Sequence, residues 1–476
     1  MASNLDPEDW GNYRRAAHDL LDACIDRLAT AGDHPWQSLP EEVRVSYALD
    51  GLPRGEAALA QELAAQVLPY GTGNTHPRFW GWVHGTGLAS GVMAEMVAAT
   101  MNANLGGRAH GAVEIERAVI DWSRKVMGFP EGASGVLVTG TSQATVIALA
   151  AARLRVLPDV RAKGQGAAPL VAYAGAGAHN AAKKAMELLG LGHEALRAIP
   201  EGDAGMDVAA LRDRIIADRA AGLLPFAMIG TAGSVDMGRF DDLNGLADLA
   251  AQTGLWLHVD GAFGAWTRLA AEPWRRLSDG IGRAESLACD FHKWMFVPYD
   301  CGMVLIRDEA AHRAAFAARP AYLAAQSAGL GGGEPWFCDY GIDLSRGNRA
   351  LKAWAAIRTH GAQGLGEAIT RCCDLAARMG QGVRDRAPMR LMAPVISNLC
   401  VFTADAGLPV ATQSALNTAI AQRLQLDGVA VFSTTAVQGV TCLRAAITNH
   451  RSSADDIDAA LDAVAATAPG LTPGAA

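Results

Sequence analysis

Between residues 135 and 306 the chain returns again and again to short runs with few polar side chains: Gly135–Thr139, Leu170–Tyr173, Pro225–Gly230, Leu255–Asp260, Ser286–Asp290 and Gly302–Ile306. They are too short for buried helices and read as strands covered on both faces. The stretches between them, including Gln143–Leu157, Asn180–Leu189, Val208–Ala221 and Leu243–Gln252, are helical in pattern and rich in alanine. Strand and helix in steady alternation predict a mostly parallel sheet with helices on both sides. A sheet of this kind takes its ligands beyond the carboxyl ends of its strands.

This α/β zone, residues 76–345, is flanked by two others. Residues 1–75 form a helical segment broken at Pro35, Pro40 and Pro53, and its first helix sets Trp10, Tyr13, Ala17, Leu20, Leu21 and Cys24 on one face. Such a segment cannot bury that face alone and must pack on something else, a second subunit included. Residues 346–476 read as a small α+β domain: a helix at Arg349–His360, strands at Ile396–Thr403, Val429–Phe432 and Leu443–Ile447, and a helix at Asp455–Ala466.

Half of the 476 residues are hydrophobic and 19% are charged, which supports a large core and excludes a disordered chain. The net charge of −8 argues against nucleic acid or an anionic membrane as the main partner. No uninterrupted apolar run is long enough to span a bilayer, and the acidic start MASNLDPEDW has no apolar stretch of the secretory kind, so the expected location is the cytoplasm. The eight cysteines form no CxxC pair; reduced, mostly buried thiols are expected, rather than a metal site or a disulfide framework.

Four features carry chemistry. In LWLHVDGAFG a buried strand ends in Asp260, a costly place for a carboxylate unless a cation meets it. In DFHKWMFVPYDCG, Lys293 lies among Phe291, Trp294, Met295, Phe296 and Val297, where burial lowers an amine's pKa as a nucleophilic lysine requires. In VLVTGTSQATVIALAAAR a strand runs through Gly140, Thr141 and Ser142 into a helix, which makes a phosphate cradle. In YAGAGAHNAAKKAMELLG, His179 stands between a strand and a helix, and Lys183 and Lys184 lie far enough into that helix to face solvent. Each has an ordinary structural reading as a cap, a snorkelling lysine or a core histidine. Together they supply an amine, an acid, an anion cradle and a ring cover, which is what pyridoxal 5'-phosphate needs.

The chain resembles the group II pyridoxal-phosphate amino-acid decarboxylases, the family of aromatic-L-amino-acid and glutamate decarboxylases. The resemblance rests on THPRFWGW, EIERAVIDW, TGTSQATVIALAAAR, His179 with its following helix, GTAGSVDMGRFD, HVDGAFG, DFHKWMFVPYDCG and SRGNRALKAWAAIRTHG, in family order from about residue 70 to 361, with LRAAITN beyond. It implies the fold-type I, aminotransferase-like architecture and a homodimer whose N-terminal segments wrap around each other, with active sites at the interface. It implies that Lys293 carries the cofactor and that His292 sits near the phosphate. Asp260 pairs with the ring nitrogen, Ala262 packs under the ring, and His179 covers its other face. Thr141 and Ser142 hold the phosphate through N–H and hydroxyl groups, and Thr231 contacts the cofactor hydroxyl. The reaction implied is α-decarboxylation of an L-amino acid, aromatic or similar, to the amine. The alternatives are decarboxylation with oxidative deamination to an aldehyde, and an aldehyde-lyase of the sphingosine-phosphate-lyase type. An intact Lys293–Asp260–His179 set argues against a purely binding or structural protein.

The family pattern before the lysine is N-P-H-K or D-x-H-K; here it is Asp290-Phe291-His292-Lys293, and Asp290 cannot donate to a phosphate as asparagine would, which leaves its role open. The expected substrate pocket is mixed in character, with Trp80, Trp82, His84, Asn102 and Asn104. The glycine-rich segment Gly331–Ile342 reads as a mobile lid. Family decarboxylases carry on this loop a tyrosine that protonates Cα. Counting back from SRGNRALKAW puts Phe337 near that place, with Tyr340 three residues on. Tyr340 is the favoured acid; a true replacement by Phe337 would favour the aldehyde.

Overall fold

The apolar runs are strands in the computed structural model, which describes residues 5–202, 204–318 and 326–471. They are β1 Ser134–Val138, β2 Leu170–Gly175, β4 Leu224–Thr231, β5 Trp256–Asp260, β6 Ser286–Asp290 and β7 Gly302–Ile306. A further strand, β3 Leu196–Ile199, lies at the sheet's edge and carries Arg197. An edge strand is only partly covered, so it lacks the continuous apolar run that marks the others. The order across the sheet is β1, β7, β6, β5, β4, β2, β3. β6, β5, β4, β2 and β3 run parallel to their neighbours, and β7 runs antiparallel to both β6 and β1. Every residue of β1, β2, β5, β6 and β7 is buried. The helix Thr141–Val156 lays Ala144, Ile147, Ala148, Ala151 and Ala152 into the core.

The chain divides into two units. The larger comprises residues 83–377 and 395–399; the smaller comprises residues 1–82, 378–394 and 400–476. This division differs from the expected one at both ends. The helical run Ala350–Arg384 is broken at Gly361, whose φ of 63° suits glycine, and its residues to Ala377 stay with the large unit. The N-terminal segment belongs with the C-terminal residues because Phe79 bridges Val431 and the Trp80 N–H donates to the Val431 carbonyl at 2.9 Å. A second sheet, in the small unit but for Leu399, is formed by β8 Arg390–Leu391, β9 Leu399–Thr403, β10 Ser433–Val437 and β11 Val440–Ala446 in the order β8, β9, β11, β10. The expected strand Val429–Phe432 is thus only an approach to β10, held by the Phe79 bridge. The helix Trp10–Ala29 buries none of its residues: Trp10 is 60% exposed and Tyr13 41%.

Candidate active site

Strand register brings the site together. Thr231, the last residue of β4, lies beside Asp260, the last of β5. Asp260 in turn pairs with Ala288 of β6, which ends two residues later at Asp290. Because β7 is antiparallel to both neighbours, β1 points the same way as β6 and delivers Gly140 and Thr141 to that edge. Gly302, the first residue of β7, closes the arrangement. A Cβ there would lie 2.5 Å from Gly140 Cα and 2.7 Å from Asp290 Oδ1, so only glycine lets β7 pass.

Directly after β6 the chain turns into the four-residue helix Phe291–Trp294, which carries His292 and Lys293. Lys293 Nζ lies 3.0 Å from Asp290 Oδ2, and Asp290 Oδ1 accepts the Thr141 N–H at 2.7 Å. The role left open for Asp290 is thus structural contact with both the lysine and the cradle. His292 Nδ1 accepts the Cys301 N–H at 3.0 Å, so Nε2 carries the proton of the neutral ring; it lies 3.6 Å from Asp290 Oδ2. Ala262 donates its N–H to Asp260 Oδ1 at 3.2 Å and accepts the Asp290 N–H at 2.9 Å, which clasps it between the Asp260 carboxylate and the Asp290 backbone. His179 follows β2, with Nδ1 accepting the Ala181 N–H at 3.2 Å.

The electrostatics correct one expectation. Burial opposes the charge on Lys293, but Asp290 and Asp260 together outweigh it and lift the amine above its ordinary pKa. Burial likewise lifts Asp260, against the pull of Lys293, His179 and the Ala262 N–H. His84 and His292 are pushed down, chiefly by burial, with Lys293 adding to the effect. Tyr299 joins this cluster although nothing in the sequence singled it out beyond its place seven residues before Ile306 in β7's approach. Its ring lies 4.3 Å from that of His292 and 5.9 Å from that of His84. His258 of β5 is fully buried between Ser286 and Thr145, and burial pushes it down to about 3, so it holds the strand as a neutral ring.

These residues fit pyridoxal phosphate. Thr141 opens a sixteen-residue helix, and its Oγ1 is buried without a hydrogen-bond partner, a polar atom left for an anion. Ser142 beside it is exposed, and an amine and a carboxylate stand beyond the same strand ends.

Other expected site residues are placed elsewhere. Trp80 is wholly buried in the small unit with its indole N–H on Ser452 Oγ at 3.0 Å, so it offers no wall to a ligand. Trp82 is half-exposed in that unit, with its carbonyl accepting from Arg444. Asn102 is the left-handed cap of the helix Ala89–Met101, and Asn104 Oδ1 accepts the Gly106 and Arg346 N–H groups. Tyr340 lies at the wrong end of the sheet to act on Lys293 of its own chain. Its hydroxyl donates to Glu309, and its carbonyl accepts from His312 Nε2, whose Nδ1 meets Ser134 Oγ at the start of β1. A five-residue strand, about 16 Å long, separates that end from the cradle. Phe337 is buried against the Arg346 guanidinium, 5.1 Å away. The segment expected as a lid is pinned: the Cys338 N–H donates to the Gly106 carbonyl at 2.8 Å, and Trp336 is 2% exposed beneath Arg108.

The model of the pyridoxal-dependent decarboxylase conserved domain matches residues 47–405. An aromatic-L-amino-acid decarboxylase of Bacillus atrophaeus is 30% identical over 456 residues, covering 93% of each chain. An L-2,4-diaminobutyrate decarboxylase of Rhizobium meliloti is 28% identical over 470 residues, covering 97% of this chain and 93% of its own. The crystal structure of Oryza sativa TDC with PLP and tryptamine superposes with a TM-score of 0.90 at 25% identity, covering 98% of this chain and all of that one. The fold is therefore fold-type I, the cofactor is pyridoxal phosphate, and the chain belongs to the pyridoxal-dependent decarboxylase family, as a carboxy-lyase acting on amino acids.

Proposed function

We propose that this enzyme removes the α-carboxyl group of an aromatic or similar L-amino acid as carbon dioxide and releases the amine, with Lys293 and Asp260 as its principal catalytic residues. The observation that carries this reading is the convergence of Lys293, Asp260, Asp290 and His292 beyond the carboxyl ends of β5 and β6. Bound there, pyridoxal phosphate supplies the electron sink that the departing carboxylate requires. Lys293 holds the cofactor covalently through Nζ, which must first shed the proton that Asp290 and Asp260 favour. Asp260 holds a proton at the ring nitrogen. Ala262, kept close by its two hydrogen bonds, would pack under the ring, and His179 would cover its other face. Thr141 and Ser142 hold the phosphate with His292 beside it, while Thr231, next to Asp260 in register, meets the ring hydroxyl. His84 and Tyr299 line the substrate side. The names of the similar proteins span aromatic and diamino acids, and the pocket's histidine and tyrosine suit a side chain with both an aromatic and a polar part.

The exposed apolar face of Trp10–Ala29 supports a homodimer, with a second copy covering that face. Eight free cysteines support a reducing, cytoplasmic location. Among the described residues no helix is long and apolar enough to cross a membrane. The decisive experiment is a panel of L-amino acids scored for carbon dioxide, amine and aldehyde, with Lys293→Ala alongside. The expected result is amine and carbon dioxide in equal amounts from wild type, and neither from the variant. A borohydride label mapping to Lys183 or Lys184 would refute the lysine assignment.

A further inference from the structure

The structure assigns Asp290 a positioning role: it is a fixed anion built into the cofactor cradle, clamping the Thr141 amide and the Lys293 amine to one carboxylate, so that the phosphate meets Thr141 through its hydroxyl and not its amide. This rests on the reading that Lys293 carries the cofactor. The two oxygens of Asp290 divide the work. Oδ1 takes the Thr141 N–H at 2.7 Å, and Oδ2 takes Lys293 Nζ at 3.0 Å. The side chain is 3% exposed. Both oxygens are held by these contacts, and glycine at 302 makes room for them, since a Cβ there would lie 2.7 Å from Oδ1. The first amide of the cradle helix is therefore already paired, while the hydroxyl of the same residue, Thr141 Oγ1, has no partner. An arriving phosphate finds that hydroxyl and the exposed Ser142, since the Gln143 and Ala144 N–H groups already donate to the Gly140 carbonyl at 3.0 and 3.1 Å.

Two consequences have one cause. A standing negative charge beside the phosphate opposes its binding. The same charge is a built-in counter-ion for the lysine nitrogen and favours its protonated form whether or not the cofactor is attached. Other groups act on that nitrogen: Asp260 from β5, His292 from its own helix, Tyr299 from the loop before β7, His84 from the segment before Ala89, and His179 through Asp260. Asp290 is the one in direct contact at 3.0 Å.

The test uses the full-length protein and Asp290→Asn, which keeps the shape and removes the charge. After the native cofactor is stripped, 4-deoxypyridoxine 5'-phosphate, which has no aldehyde to react with lysine, is titrated calorimetrically. The variant is expected to bind it more tightly, by on the order of tenfold. In the cofactor-loaded protein, the pH midpoint of the cofactor's absorbance change is expected to fall by about one to three units in the variant. Affinity that is unchanged or weaker, or a midpoint that stays in place, overturns the proposal. Thr141→Val, which removes the hydroxyl and keeps the amide, provides a second arm should Asp290→Asn fail to fold. It is expected to erase most of the advantage of 4-deoxypyridoxine 5'-phosphate over unphosphorylated 4-deoxypyridoxine, and retention of that advantage also overturns the proposal. If a different lysine carries the cofactor, the borohydride label reveals it, and the deoxypyridoxine measurements stand independently.

Discussion

Replacing Arg346 by methionine removes one half of an ion pair with almost no access to water: the side chains of Arg346 and Glu116 are 2% and 0% exposed. Arg346 donates to both carboxylate oxygens of Glu116, to the Leu105 carbonyl at 2.7 Å and to the Leu137 carbonyl at 2.6 Å. Glu116 also accepts the Leu137 N–H at 3.0 Å. Loss of the cation strands a buried carboxylate, at a cost of about 3–5 kcal/mol. Glu116→Leu alone strands the guanidinium at similar cost. The double variant leaves no buried charge and should recover much of the loss. It should not recover all of it, since the Leu105 and Leu137 carbonyls and the Leu137 N–H lose partners worth about 1 kcal/mol each. Urea unfolding of wild type, both single variants and the double variant gives the coupling directly. Because Leu137 lies in β1, which leads into the cradle, Arg346→Met should also retain cofactor less well. Single-variant costs that simply add, or a cost below about 1 kcal/mol for Arg346→Met, would refute the reasoning.

Asp260→Asn should lower turnover on the order of 10²-fold or more while cofactor retention changes far less, because a neutral amide cannot keep a ring nitrogen protonated; single-turnover kinetics with bound-cofactor quantitation checks this, and near-normal turnover contradicts it. Tyr340→Phe should leave the amine yield and the amine-to-aldehyde ratio unchanged, since the hydroxyl is engaged by Glu309 at the far end of β1; a shift toward aldehyde on product analysis would show that a tyrosine of a second chain reaches the site. Asp241 is lifted by burial to about 6 despite the N–H groups of Met206 and Thr231. A carboxyl raised in the folded chain stabilises fully below about pH 4, and that contribution is lost as pH rises through about 6, roughly 3 kcal/mol in all. Denaturation of wild type and Asp241→Asn across this range should give a difference that declines with pH, and a flat difference would contradict the assignment.

The sheet and the residues at its strand ends were legible because burial writes itself into composition: an apolar run ending in Asp260, and another ending one turn before Lys293, can be read without coordinates. What stayed hidden depends on which chain segments meet. Asp290 and Thr141 are 149 positions apart, and only the antiparallel insertion of β7 between β1 and β6 makes them neighbours. The depression expected for Lys293 follows from its apolar flanks alone; its elevation depends on Asp290, three residues back on the same turn, and on Asp260, which only the neighbouring strand brings near. On sequence Tyr340 is favoured because it carries a hydroxyl near the counted place, and proximity along a loop does not fix the end of the strand to which that hydroxyl returns. Trp80 shows a related limit, since an aromatic residue near a motif reads alike whether it walls a pocket or fills a core.

The antiparallel course of β7 fixes the length of chain available to the lysine. β7 starts at the edge where β6 stops, so the lysine-bearing turn is a short bight of chain made fast at both ends: the Phe291 and His292 N–H groups donate to the Cys301 carbonyl, and the Val297 N–H returns to the Phe291 carbonyl. Lengthening this bight would loosen the lysine and the glycine crossing at once. The segment carrying His84 lies against the same bight: a Cβ at Gly85 would sit 2.0 Å from the His292 carbonyl oxygen, and the Leu88 N–H donates to the Phe296 carbonyl at 2.8 Å. A change of length here would therefore reach the lysine, the glycine crossing and the His84 segment together.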